Sequence, residues 1–306
     1  MLGAGAVGGY FGVHLQEAGA DVTFLVRPER AARLRDRGLR IYGACDEVRV
    51  KELQVIESGT PHDANFDAVI VSCKAYDLSS AIQAVRPYVG PDTVVLPLLN
   101  GLKHLDALDS AFGTRRVLGG LAHISTVLDG NGDIRQLTKT NVLIYGARDA
   151  TQVAAVEALG RTLKLASFSA QLSNDIMQEM WEKFVVLAVV AGMSCLMRST
   201  IGEIAATKDG AALTLQLLSD CAAIASAAGH APRMSYMNWI RPGLTNTGSA
   251  LDASMRRDLE QSRATEADYT IGDLLQRAKA VGIESPVLRA AYCQLQTYEQ
   301  RRTKNN

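Results

Sequence analysis

Three groups of residues in this chain have the types and the spacing to do chemistry. The first is Gly3-x-Gly5-x-x-Gly8, within "MLGAGAVGGYFG". Glycines at that spacing let a backbone turn tightly and come close to a pyrophosphate, whose charge then meets the free N–H groups that open a helix, here around Ala6 and Val7. The second is "FLVRPER", which carries Arg27 and Arg30 at the end of the next β-rich run and no acid before Glu29. An acid there would bind the ribose 2′-hydroxyl of NAD, whereas a guanidinium pairs with a 2′-phosphate, so the pattern favours NADP(H). A solvated basic turn would read the same way. The third is Lys183, which leads into "FVVLAVVAGMSCLM" one turn beyond Glu179. It is either a snorkelling flank residue or a partly buried cation with a task.

The surrounding elements are those a phosphate loop needs. "ADVTFLV", "DAVIVSC" and "TVVLPLL" are β-branched and apolar nearly throughout, as strands covered on both faces should be. Between them "VGGYFGVHLQEAG" and "LSSAIQAVRPYV" carry apolar residues at helical spacing. This βαβ alternation predicts an α/β fold, a Rossmann-like doubly wound parallel sheet over residues 1–173. "RVLGGLAHISTVL", "GDIRQLT" and "NVLIYGA" predict further strands with a turn at Asn131-Gly132. The strand before the glycine loop is the weak point, because only Met1 and Leu2 stand there. Two residues cannot make a central strand of about five, so either a late start or a truncated sheet is expected, and the late start is favoured.

From about Ser173 the period is helical, which predicts an all-α domain over residues 174–306. "LTLQLLSDCAAIASAAG" puts Leu213, Leu217, Cys221, Ile224 and Ala228 on one face and stops at Gly229. "TEADYTIGDLLQRAKAVG" opens with the capping-box pattern Thr265-x-x-Asp268, and "SPVLRAAYCQLQTYEQ" offers Ser285 as N-cap with Pro286 in the first helical position. The tail "RRTKNN" is expected to fray.

Length and composition set the outer bounds. A chain of 306 residues favours two domains. With 32 basic and 32 acidic side chains there is no bulk attraction to nucleic acid or to an anionic membrane, so an anionic ligand must be caught by local geometry. Cys45, Cys73, Cys195, Cys221 and Cys293 are far apart and odd in number, which reads as reduced thiols in a cytoplasmic protein without a metal centre. The most apolar stretch spans 14 residues, against about 20 for a membrane helix, and reads as a buried helix. No leader peptide is expected. The sequence alone identifies no partners for His14, His62, His104, His123 and His230, which are taken as structural or surface residues.

The ordered set "GAGAVGG", "LVR", "CKAYD", "LLNG", "WEKF", "SMRRDL" and "TEADYTIG" resembles the ketopantoate reductase family over nearly the whole chain. The resemblance implies a cytoplasmic oxidoreductase of pantothenate biosynthesis that reduces 2-dehydropantoate, a 2-oxo acid, with NADPH, a homodimer being left open. It implies that Lys183 is the general acid, protonating the carbonyl oxygen as hydride reaches carbon, and that Glu266 holds substrate or cofactor near the nicotinamide. It places Lys74 near the nucleotide, Asn100 within reach of both nicotinamide and substrate, and Ser254 on the substrate. Two departures concern substrate. Family members often carry asparagines one and two turns after the lysine, and this chain has Leu187 and Ala191, at i+4 and i+8 on the Lys183 face. Ile201 also replaces a polar family residue. If those amides hold the hydroxyl and carboxylate of ketopantoate, losing each costs about 1–3 kcal/mol. A more apolar 2-oxo acid, and a non-catalytic NADP(H)-binding protein of the same fold, therefore stand as alternatives.

Overall fold

A computed structural model of the chain describes residues 1–45, 47–60 and 65–304; His62 and the tail residues Asn305 and Asn306 lie outside the described residues. The chain divides into two compact units, one of Met1–Leu99 with His104–Ile176 and one of Asn100–Lys103 with Met177–Asn306. In chain order the elements through the first unit are α1 (Ala6–Glu17), β1 (Thr23–Val26), α2 (Pro28–Arg37), β2 (Leu39–Gly43), β3 (Val48–Val50), β4 (Gln54–Glu57), β5 (Ala68–Val71), α3 (Leu78–Val85), β6 (Val94–Pro97), α4 (Lys103–Phe112), β7 (Gly119–Leu128), β8 (Ile134–Gly146), α5 (Val153–Leu163) and β9 (Ser169–Leu172). The remainder are helices: α6 (Ile176–Met197), α7 (Ile201–Ala205), α8 (Gly210–Ala227), α9 (Met234–Thr245), α10 (Ser254–Glu260), α11 (Ile271–Ala280) and α12 (Pro286–Lys304).

The first unit contains the expected parallel sheet. β1 pairs with β4 and β5 with β6, all parallel, and the two pairs are joined through Met1–Gly3. Leu2 bridges Leu25 on one side and Val71 on the other, its N–H donating to the Ile70 carbonyl at 2.8 Å, while the Gly3 N–H donates to the Leu25 carbonyl at 3.0 Å. So the central place is filled, by a stub rather than a full strand. Beside it is a cavity of about 770 Å³ whose lining includes Met1, Leu15, Phe66, Ala68, Val85 and Leu159. The α-amino group of Met1 donates to the Thr23 carbonyl at 2.7 Å, and burial pushes its pKa down to about 5. The strands are apolar on both faces, with Phe24, Val71, Val95 and Leu96 fully buried, as a sheet sandwiched by helices requires.

The rest of the first unit differs from the sequence expectation. "GDIRQLT" and "NVLIYGA" are one continuous strand, β8, because no glycine or proline separates them. It pairs antiparallel with β7, with a register shift between Ile124 and Thr126, and parallel with β2 and β9, so this second sheet is mixed. The Asn131-Gly132 turn is held by the Asp129 carboxylate, which accepts from the N–H groups of Asn131 and Asp133 at 2.8 and 2.9 Å, with Gly132 at φ +82°.

The second unit is helical. α6 extends over 22 residues, not the 14 of its most apolar stretch, so it is long enough by length and composition to cross a membrane, as is α8. Burial explains its composition instead: 72% of its apolar window is covered within the fold. In α8 the buried stripe is Thr214, Leu217, Leu218, Cys221, Ile224 and Ala225, while Leu213 and Ala228, expected on that stripe, are exposed. The capping box at Thr265 does not form. The Thr265 N–H and hydroxyl both donate to Glu299 Oε1, at 2.7 and 2.8 Å, Asp268 accepts from the Tyr292 hydroxyl, and α11 starts later, at Ile271. Ser285 precedes α12 as expected, but its hydroxyl donates to Asp220 at 2.6 Å. Arg301–Lys304 of the tail are helical rather than frayed.

Candidate active site

Within the second unit the helix α6 carries Lys183 on a segment whose neighbours are fixed. Trp181, Glu182 and Phe184 are almost wholly buried. Trp181 stacks on His230 with ring centroids 5.6 Å apart, and the Arg277 guanidinium lies over the Trp181 ring, 5.4 Å from its centroid. Glu182 accepts from the backbone N–H and guanidinium of Arg233; burial raises its pKa, and these hydrogen bonds outweigh burial and hold it below the usual carboxylate range. Glu179, one turn before Lys183, accepts from the same guanidinium at 2.8 Å. Lys183 is thus set on a rigid rail, half-buried, with its ammonium donating to Asn100 Oδ1 at 3.3 Å.

Asn100 reaches this unit because the Asn100-Gly101 turn packs against the turn Ala267–Tyr269. Gly101 sits at φ +75°, and a Cβ there would come within 2.8 Å of the Tyr269 carbonyl, so only glycine fits. The Lys103 ammonium lies over the Tyr269 ring at 5.4 Å. Glu266, immediately before that turn, is buried, and the turn is braced by the Thr265–Glu299 bonds and by the Thr270 hydroxyl on the Glu266 carbonyl at 2.9 Å. Desolvation lowers the Lys183 pKa to about 8, and the Glu266 charge opposes the fall. The result is an amine able to give up a proton near neutral pH, held by an amide oxygen and a carboxylate.

The other residues expected on substrate are in this unit too. Leu187 is half-buried and Ala191 fully buried, each one further turn along α6 from Lys183. Ser254 is the first residue of α10, and Ile201, fully buried, begins α7.

In the first unit the glycine loop has the form a dinucleotide requires. Gly3 has φ +93°, and a Cβ on Gly8 would lie 2.0 Å from Ser72 Oγ and 2.5 Å from the Gly3 carbonyl, so helix α1 can approach its strand only with glycine there. Above Gly5 the space is open, with nothing within 4 Å of where a Cβ would be. Gly5 caps α1 without a side-chain hydrogen bond, and the first turn, Ala6 and Val7 included, carries no acid. That leaves a helix N-terminus facing open space, which fits a pyrophosphate. Lys74 follows the carboxyl end of β5 and is half-buried.

The two arginines separate. Arg30 donates to the carbonyls of Ala4 and Gly132, at 3.0 and 2.8 Å, and braces the fold. Arg27 remains at the end of β1, and its Nη2 lies 2.5 Å from Asp77 Oδ1. The sequence reading missed Asp77, along with Ser72 and Glu299. Asp77 stands within "CKAYD", but no local periodicity ties it to an arginine 50 residues earlier. Of the histidines, His14 shares a 2.9 Å hydrogen bond with Ser167 and is edge-on to Tyr10, and His230 stacks on Trp181, so both have structural partners.

Comparison with known proteins gives a consistent pattern. The profile described as ketopantoate reductase PanE/ApbA matches residues 1–149, and that of its C-terminal domain matches residues 175–299. A Bacillus subtilis (strain 168) protein described as the uncharacterized oxidoreductase YkpB is 32% identical over 98% of both chains. A Nostoc 2-dehydropantoate 2-reductase is 24% identical over 96% of this chain and 93% of its own. Among solved structures, the 2-dehydropantoate 2-reductase of Geobacter metallireducens superposes with a TM-score of 0.86 at 26% identity, covering 96% of this chain and 97% of its own. A D-mandelate dehydrogenase with NADH and anilino(oxo)acetate superposes at 0.88 and 22% identity, covering 99% and 98%.

Proposed function

The chain belongs to the ketopantoate reductase family of oxidoreductases, and from that premise we propose that it reduces a 2-oxo acid to the 2-hydroxy acid with NADPH, ketopantoate to pantoate being the leading candidate. The observation that carries this reading is the Lys183 amine, lowered to about 8 and held by Asn100 beside Glu266. The reduced nicotinamide, when bound, supplies the hydride to the carbonyl carbon. Lys183 holds the substrate oxygen by its N–H and gives up a proton from Nζ as that oxygen becomes an alkoxide, so substrate gains one hydride and one proton in all. Asn100 orients the amine through Oδ1, and Glu266 keeps it protonated near neutral pH. In the first unit the amides of Ala6 and Val7 with Gly3, Gly5 and Gly8 would hold the pyrophosphate and Arg27 the adenosine phosphate, with Lys74 near the nucleotide. The same reading places the protein in the cytoplasm.

A second substrate reading has its own support. Leu187, half-buried one turn beyond Lys183, puts a hydrocarbon side chain on that α6 face, while Ala191 and Ile201 are fully buried and add no polar group. A 2-oxo acid with an apolar side chain suits that wall better than ketopantoate, whose hydroxyl would have no amide there. NADPH oxidation with a panel of 2-oxo acids, in wild type and Lys183→Ala, tests both readings. Turnover on one of the acids that collapses in the variant is the expected result, and the preferred acid identifies the wall. Tight NADPH binding without turnover on any acid would instead mark a non-catalytic binding protein.

A further inference from the structure

We propose that Asp77 determines nucleotide specificity: it neutralises Arg27 and itself accepts a ribose hydroxyl, so that the site takes NAD(H) alongside NADP(H). This rests on the reading of the glycine loop as a dinucleotide site and goes beyond it. Two arginines in "FLVRPER" suggest a strong 2′-phosphate site, but the structure withdraws one of them. Arg30 is held by the Ala4 and Gly132 carbonyls, and its burial lowers its pKa. Of the two, Arg27 stays exposed at the end of β1, and it already carries a carboxylate.

The placement is that of a ribose reader. Arg27 directly follows β1, and Asp77 closes the short turn Ala75–Asp77 that follows β5. Those two strands flank the Met1–Gly3 stub that feeds the glycine loop, and their side chains meet at the carboxyl edge of the sheet, where such folds bind nucleotides. Arg27 is 68% exposed and Asp77 31%, so both stay open on the solvent side. Arg27 engages Asp77 Oδ1, which leaves Oδ2 for another donor. A ribose 2′-hydroxyl donates to a carboxylate, so NAD(H) gains a bond. A 2′-phosphate is drawn to Arg27 but repelled by Asp77, so NADP(H) meets a pair with no net charge.

The test is calorimetric binding of NADP⁺ and NAD⁺ to wild type, Asp77→Asn and Arg27→Ala, each confirmed folded by thermal melting. Wild type is expected to bind both nucleotides within about tenfold of each other, since a phosphate opposite a neutralised, solvent-exposed pair gains little. Asp77→Asn should move the ratio toward NADP⁺ by about 3- to 30-fold, and Arg27→Ala should move it toward NAD⁺. A ratio unmoved in Asp77→Asn, or equal weakening of both nucleotides, would mean that Asp77 only braces Arg27, and the proposal fails while the dinucleotide site stands. Wild type that binds neither nucleotide overturns both.

Discussion

Replacing Glu266 by glutamine probes the proposed proton donor, the Lys183 amine, through its neighbour. The Lys183 pKa, about 8 against an ordinary 10.5, is set by burial and already includes the upward pull of Glu266. The difference of about 2.5 pH units corresponds to roughly 3 kcal/mol between the two protonation states. Removing the carboxylate charge while keeping its shape lets burial act unopposed, so the amine pKa falls further, by about 1 unit for a charge pair in a partly buried site. A wild-type rate that needs the protonated amine should decline above about pH 8, and in Glu266→Gln that alkaline limb should begin lower. The assay is kcat against pH from 6 to 10 with the preferred 2-oxo acid. An alkaline limb that stays in place or moves upward in Glu266→Gln would refute the reasoning. Stability supplies an independent check of sign. Between pH 8 and 10.5 the unfolded chain binds a proton at Lys183 that the folded chain has released, so native stability rises with pH across that window and carries the full burden below it. Lys183→Met removes the burden. It should be more stable than wild type at pH 7, by up to ~3 kcal/mol in urea unfolding, with the gain gone near pH 10.5, while turnover falls at least ~100-fold.

Further expectations concern the two units separately. Gly8→Ala pushes a methyl group into Ser72 and the Gly3 carbonyl and should lose ~1–3 kcal/mol of stability together with dinucleotide binding, whereas Gly5→Ala, with open space above it, should melt like wild type but bind NADPH more weakly. Differential scanning fluorimetry with and without NADPH separates the two. Leu187→Asn should lower the KM for ketopantoate by roughly 5- to 150-fold, the equivalent of ~1–3 kcal/mol, and raise that for an aryl 2-oxo acid. Arg233→Ala strands the fully buried Glu182 carboxylate and should lower unfolding stability by about 3 kcal/mol, read by denaturant titration.

Much of the fold was legible because its signals are local. The strands β1, β5 and β6 carry uninterrupted β-branched apolar runs, and α1 follows a glycine loop whose spacing has one structural use. The strands β2, β3 and β4 were not, since each is short and half-exposed, and β2 and β4 draw on partners far along the chain, β8 and β1. The site was legible in the same uneven way. Lys183 and Asn100 stand in recognisable motifs, and the structure joins them although 83 residues separate them. The cap at Thr265 failed because Glu299, from the later helix α12, offers a better acceptor than Asp268 does. Arg30 stands beside Arg27 in the basic pattern, but a sequence shows its charge and not the Ala4 and Gly132 carbonyls that consume it.

The helix α12 holds the segment that carries Glu266. From α12, Glu299 takes both donors of Thr265, the Tyr292 hydroxyl donates to Asp268, and the Tyr298 hydroxyl donates to the Arg263 carbonyl at 2.7 Å. Three rungs of one helix therefore act as a splint for the acid's backbone, and Arg302, one turn further on, steadies Glu299 in turn. If Glu266 acts as proposed, loss of the Glu299 or Tyr298 bonds from α12 should consequently blunt turnover and not merely loosen that helix.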